Sequence, residues 1–240
     1  MILDRIEKLQ ALTVGILVVI AVLMSAKLIT STISGNTISV TGSAYEIVKS
    51  DSGSLEFCIN TKRTTKQEAY NAMQENIKTV EKYLTDKKIT KIEKKNINGY
   101  YNYKRDVRGN YTEIPENYNM SLNVTISSDN VELIKEIAND ITGLISQGVD
   151  ISVYNTTYSY SKLPELKVTL LEKASIDAKK RASSMLKATH NHVGKIQSVR
   201  MGVYQITPVD SNDVSDSGIN DASTIDKKVT AVANITFKVK

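Results

Sequence analysis

Two histidines, a residue type that commonly binds metals, stand near the end of a predicted helix. His190 and His192 are the only histidines of the chain and are separated by one residue. A pair at this spacing can chelate an ion, but a zinc site usually takes three or four protein ligands. Neither a cysteine nor a carboxylate cluster adjoins the pair in the sequence. We therefore predict a polar turn after a helix here, and no metal-binding residues.

The acidic segment from Asp210 to Asp221 is a second candidate for metal binding, because it resembles a calcium-binding loop at first sight. Val214 stands where the third ligand of such a loop should be, and no glycine follows it in register. The composition is instead typical of a flexible acidic loop, which is the interpretation we favour over cation binding.

Cys58 is the only cysteine, so the chain cannot form an intramolecular disulfide. It lies in an alternating strand, on the face opposite Leu55, Phe57 and Ile59. A redox-sensing thiol needs a neighbour that lowers its pKa, and the sequence supplies no evident one. We expect a buried or half-buried structural thiol.

The most aromatic patch of the chain lies around residues 99–111. Tyrosine rings beside basic groups can stack on bases or sugars, and they also stabilise hairpins as cross-strand pairs. We favour cross-strand pairing or an interaction tip on an oligomer over stacking on a ligand. The candidate residues of this tip are Tyr100, Tyr101, Tyr103, Arg105 and Tyr111.

Motifs of known enzyme classes are absent from the sequence. There is no nucleophile elbow, phosphate-binding loop, zinc-protease motif or dinucleotide fingerprint. We therefore predict no catalytic residues, no cofactor and no enzymatic activity, with an envelope ligand-binding domain or enzyme that uses the tip 99–111 as the alternative.

Near the N-terminus, the run from Leu9 to Ala26 contains 18 residues without a charge. As a helix it would be about 27 Å long, at roughly 1.5 Å per residue, close to the thickness of a bilayer core. A cleaved signal peptide has a shorter apolar stretch and small residues before the cut, where this chain has Met24. The run predicts a retained single-pass anchor.

The charges that flank this run give its orientation. Two basic residues, Arg5 and Lys8, precede it, and Lys27 follows it. The positive-inside rule then favours a short cytoplasmic tail at 1–8, an anchor and linker at 9–33, and an extracytoplasmic domain at 36–240. The domain side has 28 basic and 24 acidic residues, which alternate, so nucleic-acid binding gains little support.

Hydrophobic periodicity gives the elements of this domain. Alternation predicts strands at 35–50, 53–61, 89–103, 118–127, 149–160, 193–204 and 228–239, with polar connections at 105–115 and 207–226. Helical spacing predicts a first helix capped by Thr64 or Thr65 with Glu68 in a capping box, a second from Asp129 or Asn130 to Gly148, and a third over 164–189. Their apolar stripes are Ala69, Met73, Ile77, Val80 and Leu84; Val131, Ile134, Ala138, Ile141 and Ile145; and Leu166, Leu170, Ala174, Ala178, Ala182 and Met185.

The order of these elements defines the fold class. Strands joined by hairpins and single helices, in the order ββαββαβαββ, predict an α+β fold. We expect a largely antiparallel sheet with three helices packed on it, preceded by the transmembrane helix.

Three stretches resemble the SIMPL-domain family, named for a signalling molecule that associates with a mouse pelle-like kinase. They are Ile38–Gly42 followed by Asp51, where Ser50 replaces the usual proline, then Tyr118–Val124, and the alanine-rich helix with Ala174, Asp177-Ala178, Arg181 and Ala182 before Val193-Gly194-Lys195. The resemblance covers about residues 36–240 and rests on packing residues. It implies a non-enzymatic protein of the bacterial envelope, in a family with members that are linked to oxidative-stress defence or that assemble into rings. We accordingly expect homo-oligomers held at a lipid bilayer through Leu9–Ala26.

Overall fold

The structure, a computed structural model, describes residues 13–26 and 36–240. Residues 13–26 are helical, and their side chains are exposed. Within the described ranges, no helix combines the length and the apolar character that a membrane crossing requires. The start of the predicted span, Leu9–Leu12, lies outside the described residues, as do the predicted tail at 1–8 and the linker that follows residue 26. The anchor therefore stays a prediction.

Residues 36–240 form the predicted mixture of strands and helices. The prediction of three helices needs a correction, because this part of the chain has three α-helices and a 3-10 helix. The elements are β1 (Thr37–Lys49), β2 (Ser52–Arg63), α1 (Lys66–Asp86), β3 (Lys91–Lys94), β4 (Asn98–Arg105), β5 (Tyr111–Ser128), α2 (Val131–Asp140), the 3-10 helix (Ile141–Gln147), β6 (Asp150–Ser159), α3 (Leu163–Lys187), β7 (Val193–Met201), β8 (Gln205–Pro208), β9 (Ile219–Asn220) and β10 (Asp226–Val239). The α+β class is confirmed.

The chain forms two compact units, and the larger one comprises Tyr45–Leu170 and Val203–Thr230. Its main sheet has the strand order β3-β5-β2-β6, with β4 also paired to β5, and all these pairs are antiparallel. Leu55, Phe57 and Ile59 of β2 are fully buried in a core with side chains of β5, α1 and α2. Cys58 is buried as well, as predicted.

Helix α1 begins as its sequence predicts. The Thr65 side chain accepts a hydrogen bond from the Glu68 backbone N–H at 3.2 Å, and the Glu68 carboxylate accepts one from the Thr65 N–H. This reciprocal capping box satisfies donors that the first helical turn leaves free. Four of the five predicted stripe residues are buried, and Ile77 is partly buried.

The second predicted helix is wrong in its last turns. Helix α2 ends at Asp140 and continues as the 3-10 helix, whose turn of three residues buries Ile141 and Leu144 on one side. The predicted Ile145 is therefore exposed. Ala138 is partly buried against the core, as predicted, and its neighbour Ile137 is fully buried. Gly148 ends the segment with a φ of +85°, the left-handed conformation predicted for it.

The strand predicted over 89–103 is divided by a bulge. Lys94 pairs with Val124, and Asn98 pairs with Ser121. The chain therefore advances four residues from Lys94 to Asn98, while β5 advances only three between their partners. One extra residue at 95–97 thus separates β3 from β4. The polar connection predicted at 105–115 is also wrong, because β5 already begins at Tyr111 and leaves only residues 106–110 as the turn.

The smaller unit comprises residues 36–44, Leu171–Gly202 and Ala231–Lys240. In it β10 pairs antiparallel with β7, and hydrogen bonds join Ser39 to Thr236 and Thr41 to Asn234 across β1 and β10. The core is small: Val40, Ala174, Ala178, Ala182, Ala233, Ile235 and Phe237.

The buried stripe of α3 differs from the prediction at its last position. Met185 is exposed, and Leu186 is buried instead. The buried row keeps its step of four because the helix packs along the ridge of its i, i+4 side chains. The three alanines of this row bring the helix axis close to the strands that it covers.

Candidate functional site

The predicted interaction tip lies on the hairpin formed by β4 and β5, and three of its residues, Tyr103, Arg105 and Tyr111, lie in the outer part, where these two strands pair with each other alone. Strand β2 pairs with β5 only from Tyr118 to Ser128, so residues 111–117 of β5 pair with β4 alone. We call residues 98–121 the tyrosine hairpin. Because an isolated two-stranded ribbon is only marginally stable, contacts between its own side chains must hold it.

The turn of the hairpin is fixed by Asp106. Its Oδ1 accepts hydrogen bonds from the backbone N–H groups of Asn110 at 2.9 Å and Arg108 at 2.8 Å. These N–H groups hold the pKa of the Asp106 carboxyl below its usual value. Gly109 supplies the left-handed residue of the turn, with a φ of +84°.

One face of the hairpin carries a row of aromatic rings. The Tyr101 ring packs edge-on against Tyr118, with 4.6 Å between the ring centroids, and Tyr103 lies 6.4 Å from Tyr101. Gly99 makes this possible, because a Cβ there would lie 2.7 Å from atoms of the Tyr118 side chain. Aromatic pairs of this geometry stabilise a sheet beyond the area that they bury.

The opposite face is polar, and it takes Tyr100 away from the other predicted tip residues. Neighbouring residues of a strand point to opposite sides, so Tyr100 and Asn102 lie across from Tyr101. The Asn119 side chain donates to the Tyr100 hydroxyl at 3.3 Å, and Asn102 donates to Asn117 at 2.9 Å. The sequence alone did not predict that the tyrosines lie on two faces of the hairpin, because the five tip residues were considered as one patch.

Arg105 and Tyr111, at the end of the hairpin, bind each other through a cation–π contact and a hydrogen bond; we call them the closed Arg105–Tyr111 pair. The guanidinium carbon lies 4.2 Å from the centroid of the Tyr111 ring, and Nη2 donates to the Tyr111 hydroxyl at 2.6 Å. Nη1 donates to the Gly109 carbonyl at 3.3 Å. The arginine therefore braces the turn.

The hairpin presents much apolar and aromatic surface to solvent. Tyr100, Tyr111 and Ile114 are 61%, 70% and 58% exposed, and Val107 at the turn is fully exposed. A wide, open depression of about 530 Å³ lies between Tyr103, Arg105, Tyr111 and Glu116. Such a surface is suited to binding another macromolecule, since a small ligand needs a pocket that encloses it.

The histidine pair lies in the predicted turn. Both side chains are exposed, and His190 has a left-handed φ of +57° just after α3. Among the residues that the structure describes, no three histidine, cysteine, aspartate or glutamate side chains are placed to hold a metal ion.

The acidic segment is more structured than the predicted flexible loop. The buried Gln205 side chain donates to the Ser215 carbonyl at 2.7 Å and so holds the middle of the segment. Its end forms β9, which pairs in parallel with β8. Asp210, Asp213 and Asp216 are exposed, whereas Asp221 is not.

Asp221 forms an ion pair with Lys227 that was not predicted from the sequence. The two side chains are only 10% and 4% exposed. Lys227 Nζ donates to the Asp221 backbone carbonyl at 2.7 Å and lies 3.5 Å from its carboxylate, which also accepts from Ser223 and Thr224. Burial lowers the pKa of Lys227, against the opposing charge of Asp221.

The same pair lines a cavity of about 320 Å³ in the larger unit. Val48, Leu163, Ile206 and Val229 supply apolar walls, and Tyr158 lies beside them. A signal for this site exists in the sequence, because Lys227 occupies the first position of an alternating row that continues through Val229, Ala231, Ala233, Ile235 and Phe237. The predicted strand began one residue too late, at Lys228, to include it.

The chain matches a known family model. The model of the SIMPL family, described as a protein of unknown function (DUF541), matches residues 38–237. No curated protein matches the chain.

Proposed function

Because this match spans far more than half of its length, the chain belongs to the SIMPL family, and on that premise we propose that it acts without catalysis, by assembling with copies of itself at a membrane. The tyrosine hairpin is the contact surface of this assembly. The apolar N-terminal run tethers it to the bilayer, with the domain on the extracytoplasmic side. The family resemblance extends the proposal to a role in the cell envelope, including defence against oxidative stress.

The exposed aromatic surface of the hairpin is the observation that carries the proposal. Tyrosine and arginine are enriched in the centres of protein interfaces, because they bury a large area and keep a polar group for hydrogen bonding. The closed Arg105–Tyr111 pair and the Asp106 turn fix this surface before any partner binds. A rigid surface loses little conformational entropy on association.

The alternative of a ligand-binding or catalytic tip has weaker support. Arg105 is already bonded to Tyr111 and Gly109. A small ligand would have to displace these contacts on an open surface. We therefore retain assembly as the main proposal.

The N-terminal helical segment supports the membrane tether. Its described residues 13–26 present apolar side chains outward, among them Leu17 at 65% and Leu23 at 63% exposure. The free energy of an apolar helix without a polar face decreases when the helix is transferred from water to lipid.

Size-exclusion chromatography with light scattering on the full chain in a mild detergent tests the assembly. We expect an oligomer that Tyr103→Ser with Tyr111→Ser dissociates, because the change removes two exposed rings from the hairpin. The matched control is Tyr45→Ser with Tyr154→Ser, which removes two exposed strand tyrosines elsewhere, at 65% and 59% exposure. A wild-type monomer at every concentration, or equal dissociation of both variants, would contradict the proposal.

Trypsin treatment of intact cells tests the orientation. Arg108 lies in the exposed turn of the hairpin and offers a cleavage site. We expect cleavage without permeabilisation if the domain faces outward. Protection until the membrane is opened would place the domain in the cytoplasm.

A further inference from the structure

Lys227 occupies a position that the fold reserves for apolar side chains. In β10 the alternate residues Val229, Ala231 and Ala233 are fully buried, and Lys227 precedes them on the same face. The pairing of Lys227 with Pro208 and of Val229 with Ile206 confirms that lysine and valine share this face. A residue needed only for packing would be a valine or an isoleucine here.

Stability alone does not account for the buried pair. Removing a lysine and a carboxylate from water costs several kcal/mol per ion, and apolar residues of similar volume often stabilise a core as well or better. In addition, both groups line a cavity instead of filling it. A cavity of about 320 Å³ lies at the lower end of the range found for small-molecule sites.

We propose that Lys227 captures small apolar aldehydes in this cavity as a protonated imine whose positive charge stays paired with Asp221. This activity is independent of the proposed assembly through the hairpin. It assigns a chemical role to a cavity and to a buried amine that the hairpin does not use.

The step balances without any cofactor. The ammonium group of Lys227 first loses a proton to solvent, and the free amine attacks the carbonyl carbon, forming a C–N bond. The carbonyl oxygen then leaves as water, and the imine nitrogen takes a proton back. The ammonium ion and the aldehyde thus give an iminium ion and water, and the charge of the site does not change.

The surroundings of the amine suit both stages. Burial lowers the pKa of Lys227, which increases the share of the nucleophilic free amine. Burial alone would raise the pKa of Asp221, but hydrogen bonds from Thr224 and Ser223 and the charge of Lys227 hold it well below its usual value. Asp221 therefore remains a carboxylate, ready to pair with the iminium ion.

The cavity walls define the class of aldehyde. Val48, Leu163, Ile206 and Val229 favour an alkyl chain over a polar one. An acidic aldehyde would bring a second negative charge beside Asp221, which costs free energy in a poorly solvated site. An uncharged alkyl aldehyde such as hexanal meets both conditions.

Reductive trapping on the full chain in mild detergent tests the proposal. The protein is treated at neutral pH with limiting hexanal and cyanoborohydride, and the alkylated lysines are mapped by peptide mass spectrometry. We expect Lys227 to carry the largest share of the label, ahead of the exposed Lys195 and Lys238. Glyoxylate, an acidic aldehyde, should reverse this order.

Two controls separate the cavity from general lysine reactivity. Excess 1-hexanol, which cannot form an imine, should lower the labelling of Lys227 and leave Lys195 unchanged. Lys227→Met should lose the site-specific label only. The proposal is overturned if Lys227 is labelled less than the exposed lysines, or if 1-hexanol does not reduce its labelling. Both measurements use the wild-type protein.

Discussion

At the scale of single residues, Gly42 shows how strongly the backbone constrains this fold. A Cβ at this position would collide with the Ala174 carbonyl oxygen and the Ala178 nitrogen, and would lie 2.8 Å from the Ala178 Cα. These are helix backbone atoms, which cannot rotate aside as a flexible side chain can. The close approach of β1 to α3 therefore requires a glycine here.

We expect Gly42→Ala to lower the free energy of unfolding by about 1–3 kcal/mol, the usual range for an overpacked core. Urea denaturation followed by circular dichroism measures the change. Gly143→Ala is the matched control, because a Cβ at Gly143 meets no atom within 4 Å. If both variants were as stable as the wild type, α3 would not pack against β1 as described.

The ionised Asp221 carboxylate makes the free energy of unfolding depend on pH in the acid range. Its folded pKa lies below the value of about 3.9 for an unfolded aspartate, so its contribution is present above that value and is lost as the pH falls further. We expect the free energy of unfolding to decline between roughly pH 5 and pH 2.

Urea titrations at several pH values test this dependence. Asp221→Asn should reduce the slope of stability against pH in the acid range, although it also weakens the neutral protein. Asp210→Asn, on the exposed part of the same segment, should keep the wild-type slope. An unchanged slope in Asp221→Asn would mean that the pair with Lys227 does not form.

Of the two candidate sites, the tyrosine hairpin could be predicted from the sequence, and the Asp221–Lys227 pair could not. A concentration of tyrosines is visible directly, so the hairpin could be predicted, but the face of each ring depends on pairing with β5. Asp221 looked like one more aspartate of an acidic segment. Only its contacts with Thr224, Ser223 and Lys227 distinguish it from the exposed Asp213.

At the scale of elements, the start of α1 rests on local chemistry. Thr65→Ala removes the acceptor for the Glu68 N–H, so we expect a loss of about 1 kcal/mol in the free energy of unfolding. Thermal or urea denaturation measures it. Thr64→Ala, one residue before the cap, is the control, and an equal loss there would show that the capping box contributes nothing specific.

Elements with a strong local signal could be predicted, and those set by tertiary pairing could not. The stripe of α1 and the turn at Gly148 follow from spacing and residue type alone. The change from α2 to a 3-10 helix buries Leu144 in place of the predicted Ile145, because the 3-10 turn has three residues and the period of an α-helix does not anticipate it. Strand β9 has two residues, too few for any alternation to be visible.

At the scale of the whole molecule, the family could be recognised because its motifs are packing residues. Gly42 and the alanines at 174, 178 and 182 lie in or beside the core of the smaller unit. The larger unit has a separate core built from β2, β5, α1 and α2. The sequence did not indicate this division into two units, because β1, α3 and β10 each contribute residues to both.

The proposed attachment of the molecule to a membrane can be tested on the described part of the N-terminal run. We expect Leu17→Lys with Val18→Lys to release the protein into the soluble fraction after alkaline extraction, since each lysine at the centre of a span costs roughly 2.5–3.5 kcal/mol. Val107→Lys with Ile114→Lys, two exposed apolar residues of the hairpin, should leave the wild-type distribution unchanged. A wild-type protein that is itself extracted would contradict the tether.

The bulge between β3 and β4 gives this edge of the sheet one spare residue. Both strands pair with β5, and one extra residue at 95–97 lies between their two registers. Deleting Asn96 would therefore merge β3 and β4 into one continuous strand and leave Tyr101 opposite Tyr118. Loss of a second residue at 95–97 would leave β4 one residue short, and its later side chains would then turn to the opposite face unless β5 bulged instead. A single-codon deletion here is thus absorbed without changing which rings the hairpin displays, whereas a deletion of two codons is not.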